Sequence, residues 1–307
     1  MSVREGVSTV KVIFGGSGAD RTAGMFVDED VGFRVDIGSA EERELLEALR
    51  ARLKANPPPA PPSESLLQRC LRGRKFDVEK AARAVSDYQE LLKELGLDGD
   101  GGVLPGANAS EDRLRAHARL GFMNITGGED LHGRSLIWIR LARHDPKVYS
   151  ALDVARLIAH SLDGLLSTNA RAQTRGVLLM LDMTGASIGN MDFGIPRLVL
   201  TSVLPRLPVR VGHVVGVNPL LPFRVVFPIA QALMKPKMKA RIRLVQVTSE
   251  AAPGALREFF DPAQLPPELG GTFPGHADPP QASNAPAVSR DASGCVPCGS
   301  GPANRRG

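Results

Sequence analysis

Cysteine is nearly absent from this chain: Cys70, Cys295 and Cys298 are the only three in 307 residues, too few for a disulfide framework. No charged n-region followed by an apolar h-region opens the sequence, so a reducing, cytoplasmic setting is expected. Aromatic residues make up only 5% of the chain, and no recognisable nucleic-acid motif accompanies them, so a role in stacking on bases is not expected. No uninterrupted apolar run reaches the roughly 20 residues that span a bilayer, so any contact with a membrane is peripheral. Acidic residues are missing altogether between Phe193 and Ser249, where Arg197, Arg206, Arg210, Arg224, Lys235, Lys237, Lys239, Arg241 and Arg243 lie. Those basic residues outnumber the net charge of +5, so the positive field belongs to one region and the rest of the chain is net negative. Such a field attracts an anionic partner.

Catalytic and metal chemistry are also thinly represented. His117, His132, His144, His160, His213 and His276 show no HExxH or other close ligand spacing, and no nucleophile, base and orienting group stand together. Asp182 ends an apolar strand, but "DMTG" also reads as a turn, and His213 inside a strand reads as a hydrogen-bonded core residue or part of a cavity wall. "CVPC" is half a zinc site at best. The glycines of "VSTVKVIFGGSGADRTAG" lack the Lys-Ser/Thr that a phosphate-binding loop requires. No enzymatic activity, metal or cofactor is therefore expected.

What is present is a 43% hydrophobic chain, long enough for a sizeable core. Ser39 with Glu42 forms a capping box for a helix with Leu45, Leu46, Leu49 and Leu53 on one face, and "NPPPAPP" ends it as a stiff spacer. Ser63 and Asp77 cap two further helices, the second closed by Gly96. After the loop-like stretch 96–110 the pattern changes to short apolar strands, 135–141, 176–182, 212–218 and 243–249, alternating with helices. That alternation predicts an α/β fold with a mostly parallel sheet flanked by helices. The expected organisation is an N-terminal extension (1–62), a helical region (63–96), the α/β domain (111–275) and a tail (276–307) too poor in large apolar residues to fold.

The segment 218–243, "NPLLPFRVVFPIAQALMKPKMKARIR", stands apart. On a helix beginning near Pro222, residues Phe223, Val226, Phe227, Ala230, Leu233 and Met234 form one apolar stripe, yet Val225, Ile229 and Ala232 make the opposite side apolar too. Such a helix is either buried in the core or faces something greasy on its second side. Pro228 favours a hinge within it.

In order and spacing, "LLQRCLRGRKFDVEKAARAV", "GRSLIWIRLARHDP", "VLLMLDMTG", "LPVRVGHVVGVNPLLPFRVVFPIAQAL" and "LPPELGG" resemble the CRAL-TRIO lipid-binding domains of retinaldehyde-binding, tocopherol-transfer and phosphatidylinositol-transfer proteins, over roughly residues 63–275. The resemblance implies an N-terminal three-helix region and a sheet that, with a mobile gate helix, encloses one hydrophobic lipid. It makes the stretch Phe223 to Met234 the gate, and it places a phosphoinositide headgroup on Arg72 or Arg74, Arg210, Lys237 and Arg241. Leu179, Leu181, Leu200, Val203, Val215, Val217, Phe223 and Phe227 are candidate pocket residues, although strands apolar on both faces leave the pocket-facing set open. The chain departs from the family pattern at Val209, at Leu220 and at Gln231-Ala232-Leu233, where many members carry an acidic residue, a proline and Lys-Pro-Phe; the missing acid favours a wholly apolar cargo over phosphatidylinositol. The expected partners are therefore a hydrophobic lipid and an anionic, phosphoinositide-containing membrane.

Overall fold

The structure is a computed structural model that describes residues 35–97, 109–232, 234, 236–247 and 252–273. The glycine-rich stretch near residue 15 and the tail cysteines lie outside those residues, as do residue 233 and the side chains of Val226, Ala230 and Lys237.

Three helices open the described chain: α1 (Ala40–Ala55), α2 (Glu64–Gly73) and α3 (Val78–Leu95). Ser39, Ser63 and Asp77 each accept a backbone N–H of the first turn, satisfying donors that the helix itself leaves orphaned. Gly96 ends α3 at φ 66°, a left-handed conformation that costs glycine nothing. The apolar faces of α1, α2 and α3 meet in one core that also takes in α5 (Ala151–Thr168). The polar helix α4 (Ala109–Arg119), unforeseen in the sequence, leads into the sheet.

Five strands lie in the order in which the chain makes them: β1 (Met123–Glu129), β2 (Ser135–Arg140), β3 (Val177–Asp182), β4 (Val211–Val217) and β5 (Ile242–Val245). β1 is an antiparallel edge strand and the other pairings are parallel, so the sheet is α/β and mostly parallel. Because every parallel crossover steps the same way, right-handed connections put α5, α6 (Ala170–Arg175), α7 (Gly194–Leu198) and α8 (Leu221–Ala232) on one face. α9 (Pro236–Lys239) links α8 to β5. The other face is covered by α10 (Ala252–Leu256) and the segment that follows it, with Leu256, Phe259, Phe260 and Leu265 packed on Leu136, Trp138, Met180 and Val215.

Two buried ion networks clamp the helical region to the sheet domain. Arg69 Nη1 donates to Asp163 Oδ1 at 2.6 Å and to Ser167 Oγ at 3.2 Å, and the Tyr88 hydroxyl donates to the same carboxylate. Arg72 donates to both Glu42 oxygens, at 2.6 and 3.1 Å, and to Gln173 Oε1 at 2.6 Å, tying α1, α2 and α6 together. Charges taken out of water in this way hold only while every partner is in place.

Candidate functional site

Strand alternation decides what the sheet offers to each side. Leu136, Trp138, Leu178, Met180, Val215 and Val217 point to the α10 face, while Ile139, Leu179, Leu181, Val214, Gly216, Ile242 and Leu244 point the other way. Helix α7 continues into a π-helical turn, Val199–Val203, and with α5 and α8 it encloses an apolar cavity of ≈ 220 Å³ over those residues. A π turn widens the helix by one residue and recurs at functional sites. Here it presents Val199 and Leu200 to the cavity and leaves Val203 fully buried among the helices.

Of the pocket residues expected from sequence, Leu179, Leu181, Leu200, Phe223 and Phe227 line this cavity. Val203, Val215 and Val217 do not, because one-residue parity sends the two strand valines into the α10 core and turns Val203 toward the helices. Ile139, Val214, Ile158 and Phe122 line it without having been singled out, since nothing in an all-apolar run distinguishes its two faces. His213 shares the parity of Val215, so it is not part of the cavity wall: its Nδ1 lies 2.8 Å from the Arg134 guanidinium and its ring meets Phe259 edge-on. Asp182 is structural, accepting from Trp138 Nε1 at 3.2 Å and from the Thr184 N–H at 2.9 Å.

The cavity roof is α8, whose Phe223 and Phe227 rings stack at 5.3 Å. The helix contains Pro228, and Met234 reaches the cavity from beyond its C-terminal end. Its launch point is Asn218, held at φ 51°. The Asn218 amide donates to Thr184 Oγ1, and its carbonyl oxygen accepts from the Val247 N–H at 2.7 Å and from Gln246, so the ends of β3, β4 and β5 fix where α8 begins. Around this end large apolar side chains stand in solvent: Leu221 is 75%, Ile188 66% and Phe193 54% exposed.

At the opposite ends of the strands, roughly 20 Å away, arginines collect. Arg134, Arg210 and Arg241 each immediately precede a strand and Arg175 stands two residues before β3, so parallel pairing brings all four to one edge. Burial and then the charges of Arg241, Arg210 and Arg175 pull the Arg134 guanidinium down to about 10. Arg210 donates to the Thr174 carbonyl and Arg241 to the Val211 carbonyl, contacts that orient both side chains along this edge. Arg74 hangs at the rim, on the carbonyls of Pro205 and Leu207. Of the two alternatives Arg72 and Arg74, Arg72 is buried and committed to Glu42 and Gln173. The sequence could not separate it from Arg74, because its partners lie 30 and 101 residues away.

Behind Phe122, outside the cavity lining, two imidazoles are buried. His117 is stacked between Tyr149, at 4.0 Å and 6°, and Phe122, at 5.4 Å and 11°, with His144 tilted beside it. Among the described residues neither imidazole has a hydrogen-bond partner on a ring nitrogen, and burial together with His144 holds His117 down to about 4. No group of three or more metal-ligating side chains occurs among the described residues, nor any helix long and apolar enough to cross a membrane.

Residues 120–271 match the model of the CRAL/TRIO domain. Clavesin-1 of Xenopus laevis is 26% identical over 214 residues, which cover 69% of this chain and 61% of Clavesin-1. The mouse tyrosine-protein phosphatase non-receptor type 9 is also 26% identical, over 212 residues that cover 69% of this chain and 33% of the phosphatase. The alignments thus span less than two thirds of either relative. Among solved structures, the crystal structure of Sfh5 aligns with 72% of this chain and 85% of its own at 10% identity and a TM-score of 0.45. The domain match falls on the sheet and helices that build the cavity, so residues 120–271 of this chain form a CRAL/TRIO domain.

Proposed function

We propose that this chain carries one hydrophobic lipid in the cavity beneath α8, docks reversibly on an anionic membrane, and exchanges its cargo there without catalysing a reaction. The observation that carries the reading is the cavity itself, apolar on floor, walls and roof and closed by α8. Burial of apolar lipid surface supplies affinity at about 25 cal/mol per Å². Phosphoinositide is the favoured docking lipid, because arginine forks match phosphate oxygens bidentately and four arginines share one edge of the sheet. Arg74, Arg210 and Arg241, with Lys237, are the proposed docking residues, and Phe223 to Met234 form the gate.

A second reading keeps the docking and drops the transfer, making the domain a module that reads membrane lipid for a larger assembly. It is favoured by the phosphatase relative, in which the matching stretch is only a third of the protein. Transfer of a fluorescent lipid between donor and acceptor vesicles separates the two. The carrier reading expects transfer that accelerates when the acceptor contains phosphoinositide and slows in an Arg210→Glu, Lys237→Glu double variant. Vesicle binding with no transfer above the spontaneous rate leaves the module reading.

A further inference from the structure

Resting on the carrier reading, we infer that the cargo is a neutral lipid whose enclosed part is hydrocarbon, of the sterol, isoprenoid or long-chain alcohol class, and that glycerophospholipids are refused. The wall chemistry carries this. Among the described residues that line the cavity, no side chain bears a hydrogen-bond donor, and Asp192 is the single ionisable one. Its neighbours are Leu, Ile, Val, Phe, Met and Pro side chains, with Gly216 on the floor. The strand N–H groups beneath are engaged in the parallel ladders of β2 to β5, so the backbone floor supplies no donors either.

A glycerophospholipid drawn into such a space would bury ester carbonyls and a phosphodiester, all acceptors, against described side chains that cannot donate to them. Each carbonyl deprived of a donor loses about tenfold in affinity. The arginines do not repair this, because Arg134, Arg175, Arg210 and Arg241 are not among the lining residues. Surface and interior therefore read different chemistry: the edge of the sheet reads anions, the interior reads hydrocarbon.

Asp192, in the lining beside the exposed Phe193, sharpens the selection. Its Oδ1 accepts from the Gly194 N–H at 2.7 Å, a turn contact that leaves Oδ2 to accept from one more donor. An ionised carboxylate only accepts. A cargo ending in a hydroxyl donates to it; a cargo ending in a carboxylate or phosphate meets a like charge. Gly216 gives the floor its depth at mid-sheet, since a Cβ there would fall 2.6 Å from Leu244 Cδ2 and 3.3 Å from Met183 Cε.

The test offers the full chain vesicles containing equal amounts of cholesterol, oleyl alcohol, oleic acid, phosphatidylcholine and phosphatidylinositol, then re-isolates the protein and quantifies the extracted lipids by mass spectrometry. The expected result is cholesterol or oleyl alcohol approaching one molecule per chain, with each phospholipid at least tenfold lower. In Asp192→Asn, whose amide oxygen preserves the Gly194 turn, the preference for oleyl alcohol over oleic acid should fall severalfold with unchanged stability. Phosphatidylcholine or phosphatidylinositol recovered near one per chain overturns the inference while leaving the carrier reading intact, and an unchanged alcohol-to-acid ratio in Asp192→Asn removes the selection by Asp192. A chain that takes up none of the five contradicts the carrier reading itself.

Discussion

Acid should destabilise this protein well above the range in which carboxylates titrate, and His117 is one of the reasons. Its imidazole is fully buried, stacked between Tyr149 and Phe122, and held down to about 4 from an ordinary 6.5 by desolvation and by His144. Above pH 6.5 the ring is neutral in folded and unfolded chains alike, so it adds no pH dependence. As pH falls below 6.5 the unfolded chain takes up a proton that the folded chain refuses, and stability drains away until the folded ring titrates near 4. At about 1.4 kcal/mol per pH unit, that window costs about 3 kcal/mol, a sizeable share of a typical domain's stability. His213, held down to about 4 by burial and then by Arg134, acts in the same direction. Asp153 stays out of the window: burial opposes its ionisation, but hydrogen bonds from Arg113 and Ser150 hold it at about 2, so its contribution is lost only below its ordinary 3.8. Replacing His117 by Phe keeps the ring stack and deletes the titration. Urea midpoints measured from pH 7.5 to 4.5 should fall steeply in the wild type and by about 3 kcal/mol less in His117→Phe. An unchanged acid slope in the variant would refute the reasoning, and with it the claim that these unpartnered imidazoles are kept neutral.

Four further substitutions separate binding from scaffolding. Asp163→Ala strands Arg69 and Tyr88 in the interface between the helical region and α5, and should cost about 3–5 kcal/mol in a denaturant midpoint; a cost below about 1 kcal/mol would show the pair to be dispensable. Arg72→Ala should destabilise the fold by a similar mechanism yet leave vesicle binding per folded molecule unchanged, whereas Arg210→Ala should weaken binding to anionic vesicles by about 1 kcal/mol and spare the midpoint. Vesicle sedimentation alongside urea denaturation reads both, and the opposite pattern would return Arg72 to the headgroup site. Leu200→Trp, on the π turn, should fill the cavity and lower lipid occupancy at least about tenfold with the fold retained, as followed by extraction and by circular dichroism.

Much of the architecture was legible because local rules were obeyed. Ser39, Ser63, Asp77 and Gly96 mark helix ends through short-range bonds that a sequence displays directly. The apolar strands β2, β3 and β4 fall within one residue of their expected bounds. β1 escaped notice because "MNITGGE" carries two glycines and few β-formers, and it persists as a strand only by pairing along the edge of β2. α4 escaped because "ASEDRLRAHAR" is almost wholly polar. The site was harder to read. Runs such as "VLLMLD" are apolar on both faces, so only their neighbours reveal that Leu179 and Leu181 face the cavity while Met180 faces α10. The four arginines at the sheet edge are scattered in sequence, and parallel register alone gathers them.

The central claim is that the space under α8 holds one lipid. The most direct measurement purifies the full chain from a cellular host, extracts it with organic solvent, and counts co-purified lipid by mass spectrometry against protein. Close to one molecule per chain is expected, with a loss of that occupancy in Leu200→Trp. A wild-type chain that is empty after purification, and still empty after incubation with mixed lipid vesicles, would contradict it.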